Sequence, residues 1–392
     1  MISLPVKKLK PGMVTAQGVY NSQGASYLPR GTTVNSQYID GLKRVGVKEI
    51  AVTSINPAYQ LPPPEDVLQE QTRVNAIHHV HDTFTQMEKS GELKVDALEA
   101  VASGLVSDIL ERRDFLVQLT DIRRFDQYTF AHSVNVAVLS AIIGSYSHLS
   151  QSALHDLTMG ALLHDVGKLI IPTTILNKAG GLSAGEMDVV RLHPAAGRDK
   201  LAKLTVPSAS LYATIAAQHH EHLNGHGYPL HLMADNIHQF SRIVAIADVY
   251  DALTSARPYK QAYRPHIAYK IMTKCSSGQF DLPLLDLFFN NVAIYPDGTI
   301  LKTKAGFAIV KHSEFGRTRT PLVILFATPQ YRVLPEPFII DSRDCRPDFI
   351  EAVVEDSELP SLFFRLRVDP SFYLEQDLPK ASNETLQKLG LV

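Results

Sequence analysis

The chain has 392 residues, of which 45% are hydrophobic and 20% charged, and its formal net charge is -2 at pH 7. The length allows roughly two or three domains, and the near-neutral charge argues against a nucleic acid polymer or an anionic membrane as partner. The apolar runs VAVLSAIIG and PLVILFA are too short to span a bilayer, and no signal peptide is apparent, so we expect a cytoplasmic protein. Cys275 and Cys345 form no CxxC motif, so any metal must use nitrogen and oxygen ligands.

The first part of the chain predicts a small unit followed by a break. Residues 1–56 mix short alternating segments with glycine and proline, then give the helical pattern SQYIDGLKRVGV and the strand pattern KEIAVTS. We interpret them as a small N-terminal α+β domain. Residues 57–65 are proline-rich, and proline fixes φ and removes backbone donors, so this stretch predicts a linker.

Helical spacing of apolar residues dominates the middle of the chain. Residues 66–119 predict a helical connector, and residues 120–290 predict a helical bundle that includes FAHSVNVAVLSAIIGSYS and HQFSRIVAIADVYDALTS. In residues 291–392, strand formers alternate with turn signals, which predicts a small β-rich C-terminal domain. The predicted fold class is therefore mainly α, with a helical bundle between two smaller domains.

Eleven of the sixteen histidines lie between His132 and His238, around a His–Asp pair in the apolar run ALLHDVGKLIIP. In a helix, Lys168 would follow His164 by four residues and Asp165 by three, so its ammonium group would project toward whatever the pair holds. A metal ion with a phosphate group beside it suits these three side chains.

Several imidazoles and carboxylates in this region can serve as metal ligands. Oxygen and nitrogen ligands of this kind favour Fe, Mn or Zn, and a carboxylate such as Asp165 can bridge two ions. Two ions about 3.5 to 4 Å apart can clamp a phosphodiester and activate a water molecule. A lone buried histidine is more often a hydrogen-bonded core residue, so the hypothesis depends on the whole set. The set is His132, His164, Asp165, His193, His219, His220 and Asp248.

Three motifs follow one another in a characteristic order. They are HDVGK at 164–168, AAQHHEHLNGHGYP at 216–229 and AIADVYDALTSARPYK at 245–260. Together they resemble the HD-GYP family of cyclic di-GMP phosphodiesterases, and the Gly227-Tyr228-Pro229 triplet separates them from generic HD phosphohydrolases. The resemblance implies an HD-type helical domain with two or three metal ions, usually iron or manganese. It also implies cleavage of cyclic di-GMP to linear pGpG, and in some members to GMP, which lowers a bacterial second messenger.

The resemblance also assigns roles to individual residues. The seven residues above match the family's metal ligands, with Asp165 as the bridge, and Lys168 matches its phosphate-binding lysine. These two residues are the expected catalytic groups. Substrate contacts are expected from Lys168, from Tyr228, which would pack on a guanine, and from Arg257 and Lys260, which are spaced to reach a second phosphate or a guanine edge. The expected cofactors are two divalent ions, Fe or Mn.

Three positions depart from the family pattern. Members with three metals carry a glutamate one helical turn before the first histidine, where this chain has Tyr128, so we predict two metals and pGpG as the end product. In the GYP loop, His222 and Asn224 replace an arginine and an aspartate of the family motif. Their loss removes an ion pair that would shape the loop, and we expect a looser or altered substrate fit.

Two other functions stay open at this point. The altered loop is compatible with an effector that binds cyclic di-GMP through Lys168, Arg257 and Lys260 with little turnover. An HD phosphohydrolase acting on another cyclic dinucleotide or on a nucleotide is the second, although the GYP loop argues against it. The terminal domains resemble segments that often accompany the family, and we interpret them as packing or homodimerisation modules.

Overall fold

The structure, a computed structural model, combines a large helical bundle with smaller regions at the two ends of the chain. It describes residues 2–20, 26–54, 56–57, 68–93, 95–112, 128–176, 178, 180–255, 262–275 and 278–392. The predicted fold class, mainly α with an HD-type bundle and a small β-rich C-terminal region, is confirmed. Most of the predicted linker 57–65 lies outside the described residues, and the domain boundaries stay predictions.

The described residues form the following helices and strands. The helices are α1 Ser36–Arg44, α2 Glu70–Ser90, α3 Asp96–Glu111, α4 Tyr128–Tyr146, α5 Gln151–Leu163, α6 Thr173–Leu176, α7 Ala184–Val190, α8 His193–Leu201, α9 Ala209–Gln218, α10 Gln239–Thr254, α11 Pro265–Cys275, α12 Leu282–Asn291, α13 Leu359–Leu366 and α14 Asn383–Lys388. The strands are β1 Ile2–Pro5, β2 Val19–Tyr20, β3 Ser26–Leu28, β4 Glu49–Val52, β5 Ile300–Thr303, β6 Gly306–His312, β7 Leu322–Ala327, β8 Val333–Asp341 and β9 Ile350–Val353.

Helix α4 lies at the centre of the helical bundle. Its sequence is apolar on all sides, which is the pattern of a helix that is buried all round, and Val134, Val138 and Ile142 are fully buried. It packs against α2, α3, α5, α10 and α12. Helices α2 and α3, from the predicted connector 66–119, contribute to the same hydrophobic core as the later helices. No helix in the described part of the chain is both long and apolar enough to cross a membrane.

The two ends of the chain meet in a second hydrophobic core. β1 pairs with β4, and the C-terminal strands form an antiparallel sheet in the order β8-β7-β6-β5-β9. Strand β6 alternates between two cores: Phe307 and Ile309 face the N-terminal residues, whereas Ala308 and Val310 face the side of α14. Ser54 Oγ also donates a hydrogen bond of 2.9 Å to a carboxylate oxygen of Asp369 in the C-terminal region.

The HD motif lies in a tight turn against the start of α8. The helix that was expected to run through Lys168 ends instead at Leu163, and a 3-10 turn follows at Val166–Ile170. Gly167 allows this close approach, because a Cβ atom there would lie 2.0 Å from the carbonyl oxygen of His193 and 2.6 Å from the amide nitrogen of Gly197. The turn therefore brings two distant parts of the sequence together.

Replacing Gly167 by alanine should lower the free energy of unfolding by on the order of 3 kcal/mol, because main chain must move to admit the methyl group. Chemical denaturation of the metal-free protein measures this change. Gly185→Ala is the matched control, since a Cβ atom at this helical position meets no described atom within 4 Å. A Gly167→Ala variant as stable as the wild type would contradict the close contact between the turn and α8.

Candidate metal centre

The seven predicted ligands converge from separate helices of the bundle, and all are buried except His220, which is half-buried. Most of the seven lie just beyond the end of a helix or at the start of one. The C-terminal ends of α5, α7 and α9 therefore position these ligands. They are His132 on α4, His164 and Asp165 after α5, His193 at the start of α8, His219 and His220 after α9, and Asp248 on α10.

The carboxylate of Asp165 lies between two sets of histidines. Its Oδ2 atom is 3.3 Å from Nε2 of His164 and 3.5 Å from Nε2 of His132. Its Oδ1 atom is 3.3 Å from Nε2 of His193 and 3.7 Å from Nε2 of His219. Each oxygen therefore faces a different pair of imidazoles, which is the arrangement of a bridging carboxylate.

A second carboxylate, that of Asp248, also connects the two sets. Its Oδ1 atom is 3.1 Å from Nε2 of His132, and its Oδ2 atom is 3.6 Å from Nδ1 of His220. Among the described residues, two groups of potential ligands have their donor atoms within 4.8 Å of one another. One group is His132, His164 and Asp165, and the other is His193, His219 and His220.

Three of the histidines share one hydrogen-bonding pattern. Nδ1 of His164, His193 and His219 lies 2.7, 2.7 and 2.8 Å from the carbonyl oxygen three residues earlier. A carbonyl can only accept, so Nδ1 carries the proton and donates in each case. The lone pair of Nε2 is thereby left for a metal ion.

The residues present fit a metal ion. Nε2 of His164 and Oδ1 of Asp165 are buried atoms without a hydrogen-bond partner within the described ranges. Leaving such atoms unsatisfied in a protein interior is costly, and a cation would satisfy both. The donors are imidazole nitrogens and carboxylate oxygens, which suit Fe, Mn or Zn.

Burial and neighbouring charges prepare these groups for a cation. Burial lowers the pKa of His193 to about 4 and that of His220 to about 3, so both are neutral at physiological pH. Burial raises the pKa of Asp165, but the ammonium group of Lys168 and the imidazoles of His164 and His193 together outweigh this effect and hold that pKa well below its usual range. Nζ of Lys168 is 2.5 Å from Oδ2 of Asp165, as the HDVGK spacing indicated.

Asp251 is a residue of the centre that the sequence prediction missed. Its Oδ2 atom lies 2.6 Å from Nδ1 of His132, and its Oδ1 atom accepts hydrogen bonds from Asn135 at 2.7 Å and Ser255 at 2.9 Å. Burial lowers the pKa of His132, but its bonds to Asp248 and Asp251 outweigh burial and raise it to about 9. The available signal was the spacing of three residues between these aspartates, which places both on one side of α10.

The aromatic ring of Tyr228 lies beside the metal centre. It is stacked on the ring of His220, with 4.8 Å between centroids and 28° between planes. Gly227 permits this path of the chain, since a Cβ atom there would lie 2.3 Å from the amide nitrogen of His222. The ring is also in contact with Arg191, whose guanidinium carbon is 5.6 Å from the centroid.

The GYP loop is held by Glu221, which the sequence prediction also missed. Its buried carboxylate accepts hydrogen bonds from the amides of Leu230 at 2.6 Å and Leu232 at 2.9 Å. The side chain of Asn224 accepts a bond of 3.0 Å from the amide two residues later, as an aspartate could also do. The loop thus has fixed anchors despite the departures at His222 and Asn224.

Some predicted residues cannot be placed in this way. Arg257 and Lys260 lie outside the described residues, as does the side chain of Tyr128. Their predicted roles stay predictions.

The sequence comparisons identify the family. Residues 104–284 match the HD domain family. The chain is 31% identical over 319 residues to cyclic di-GMP phosphodiesterase PA4108 of Pseudomonas aeruginosa, a match that covers 78% of this chain and 76% of that protein. The chain belongs to the HD-GYP family. The resemblance seen in its motifs is thereby confirmed.

Two further relatives match the HD-GYP part of the chain. Identity is 35% over 180 residues with the cyclic di-GMP phosphodiesterase response regulator RpfG of Xanthomonas campestris, covering 45% of this chain and 48% of that protein. Identity is 33% over 204 residues with 3'3'-cGAMP-specific phosphodiesterase 1 of Vibrio cholerae, covering 52% of this chain and 46% of that protein. The chain therefore spans about half the length of these two relatives.

Asp251→Asn should weaken Mn²⁺ binding by about 10- to 100-fold, because a neutral amide accepts more weakly from Nδ1 of His132, which makes Nε2 a poorer donor to the metal and holds the ring less firmly. Calorimetric titration of the metal-free protein with Mn²⁺ measures the effect. Asp156→Asn is the control: this carboxylate of the same bundle accepts hydrogen bonds from Ser208 and Tyr212 instead. Wild-type affinity in Asp251→Asn would rule out the positioning role.

Loading the metal-free protein near neutral pH should release the proton of His132. With a pKa of about 9, His132 is protonated at this pH, and a cation and a proton compete for its Nε2 atom. His193 and His220 are already neutral and should contribute none. The part of the release that comes from His132 should vanish well above the pKa of this residue. Calorimetry in buffers of different ionisation enthalpy measures it, and metal binding without proton release near neutrality would contradict the assignment.

Proposed function

We propose that this HD-GYP protein is a metal-dependent phosphodiesterase that hydrolyses one phosphodiester bond of cyclic di-GMP and releases linear pGpG. The observation that carries the proposal is the carboxylate of Asp165, which presents one oxygen to each histidine set and has the ammonium group of Lys168 beside it. The relatives from Pseudomonas and Xanthomonas, both named cyclic di-GMP phosphodiesterases, support the substrate. We assign the reaction to the cytoplasm, and a homodimer stays a prediction.

Two divalent cations, Fe or Mn, would occupy the centre. When bound, they would neutralise charge on the phosphoryl oxygens and lower the pKa of water, which supplies the nucleophile. One set of ligands is His132, His164, Asp165 and Asp248, and the other is His193, His219 and His220 with the second oxygen of Asp165.

The chain's own residues supply orientation and charge. Asp165 and Asp248 connect the two ligand sets, so the sets keep a fixed spacing. Lys168 places a positive charge where negative charge grows on the phosphoryl oxygens during attack, which stabilises the transition state. The ring of Tyr228 offers an apolar surface next to His220 on which a nucleobase can pack.

A second candidate substrate is 3'3'-cGAMP, because the relative from Vibrio cholerae is named for it. The test is anaerobic incubation of Fe- and Mn-loaded protein with cyclic di-GMP, 3'3'-cGAMP and pGpG, with products separated by chromatography. We expect cyclic di-GMP to give pGpG that accumulates. Faster turnover of 3'3'-cGAMP would change the substrate assignment, and a metal-loaded protein that cleaves none of the three would refute the proposed function.

Replacing Lys168 by methionine should lower kcat by about 100- to 1000-fold while both cations stay bound, because the charge beside the phosphate is lost but the ligands are kept. Steady-state kinetics with metal analysis of the same sample measures both quantities. Lys178→Met is the control, since the ammonium group of Lys178 pairs with Glu186 at 2.6 Å. An unchanged kcat in Lys168→Met would show that this lysine does not serve the reaction.

A further inference from the structure

The proposed substrate has more negative charge than the metal centre can neutralise alone. Cyclic di-GMP has two phosphodiester groups, and only one of them can lie at the two cations while it is cleaved. The second keeps its negative charge, and a cationic side chain close to the centre would stabilise it. Lys168 is assigned to the phosphate that is cleaved, because its ammonium group lies at the centre, 2.5 Å from the carboxylate of Asp165. Arg257 and Lys260, which the sequence predicts as contacts of a second phosphate or a guanine, lie outside the described residues. A cationic side chain in the described part of the chain can contribute to binding this phosphate beside them.

Arg191 lies in the right place for this role. It follows α7 directly and precedes the metal ligand His193 by two residues. The ring of Tyr228 stacks on His220 at 4.8 Å, and the guanidinium carbon of Arg191 lies 5.6 Å from the centre of the same ring. The ring of Tyr228 thus lies between a predicted metal ligand and a positive charge, in contact with both.

The guanidinium group of Arg191 is also free to turn toward a ligand. Its side chain is 55% exposed, and its ion pair with Asp188 is long, at 3.7 Å, with a partner that is 71% exposed. Such an exposed ion pair contributes little to the stability of the protein, so breaking it costs little free energy. The main chain is fixed, since the amide of Arg191 donates to the carbonyl of Met187 at 2.9 Å.

We propose that Arg191 binds the phosphate of the cyclic dinucleotide that is not being cleaved, and that it thereby selects substrates with two phosphates over simple phosphodiesters. This inference rests on the proposed function, because it takes a cyclic dinucleotide as the substrate. A planar guanidinium can donate two parallel hydrogen bonds to phosphate oxygens, which a lysine ammonium cannot do in the same geometry. A purely structural role is the alternative: a cation–π contact that only steadies Tyr228.

The test compares two substrates on Mn²⁺-loaded protein: cyclic di-GMP, and bis(p-nitrophenyl) phosphate, which has a single phosphate. Arg191→Ala should raise the KM and Kd for cyclic di-GMP by about 10- to 100-fold, with a much smaller loss on the single-phosphate substrate. Arg191→Lys should recover part of the difference. Arg198→Ala is the control, since this exposed arginine on α8 pairs with its neighbour Asp199 at 2.8 Å and should leave both substrates unaffected.

The outcomes separate this inference from the proposed function. An unchanged affinity for cyclic di-GMP in Arg191→Ala would overturn the inference, and so would an equal loss on both substrates with a loss of metal, which is the mark of a structural role. If the wild type binds cyclic di-GMP without cleaving it, the proposed function fails, yet the change in Kd still decides the role of Arg191. A wild type that binds no cyclic di-GMP overturns both.

Discussion

The interaction on which the site depends is the contact between the buried carboxylate of Asp165 and the imidazoles around it. A buried carboxylate is stable only if charges and hydrogen bonds compensate for its lost hydration. Here Lys168 provides one positive charge, and a cation would satisfy Oδ1 of Asp165 and Nε2 of His164, which have no hydrogen-bond partner among the described residues. The surrounding helices therefore enclose a site whose full stabilisation requires metal, which ties the folding of the bundle's centre to its chemistry.

The ends of helices fix the ligands as well as supply them. The last carbonyl groups of a helix lack partners within that helix. His164 and His219 each use such a carbonyl, in α5 and α9, to hold the Nδ1 proton, and His193 does the same with the last residue of α7. One hydrogen bond thus caps a helix, selects a tautomer and aims Nε2 at the centre. His132 lies within α4, so it takes a carboxylate, Asp251, in place of a free carbonyl.

Local sequence was sufficient to single out the side chains that converge at the centre, and insufficient to find the residues that support them. The HD pair, the paired histidines and Lys168 have residue types and spacings that few other sites share. Asp251 and Glu221 do not belong to such a distinctive sequence pattern, because their roles depend on which helix or loop packs against them. The same holds for Gly167, which is needed because the main chain of α8 lies too close for a side chain at this position. The end of α5 was misplaced for this reason: the apolar pattern continues past Leu163, but the tertiary contact imposes a turn.

The shared core of the two chain ends was equally invisible in the sequence. The continuous apolar run FAIV in β6 is the pattern of a strand buried on both faces, but this pattern does not say which segment covers each face. The first fifty or so residues supply part of that cover. The terminal regions are therefore parts of one packed unit rather than independent attachments to the bundle.

The most direct test of the account is the position of metal ions around Asp165. Anomalous diffraction from crystals of the Mn-loaded protein would locate them. The account predicts two peaks about 3.5 to 4 Å apart, each bound by a different oxygen of Asp165 and by a different histidine set. A single peak, or two peaks of which only one contacts Asp165, would contradict the bridging role on which the proposed phosphodiesterase depends.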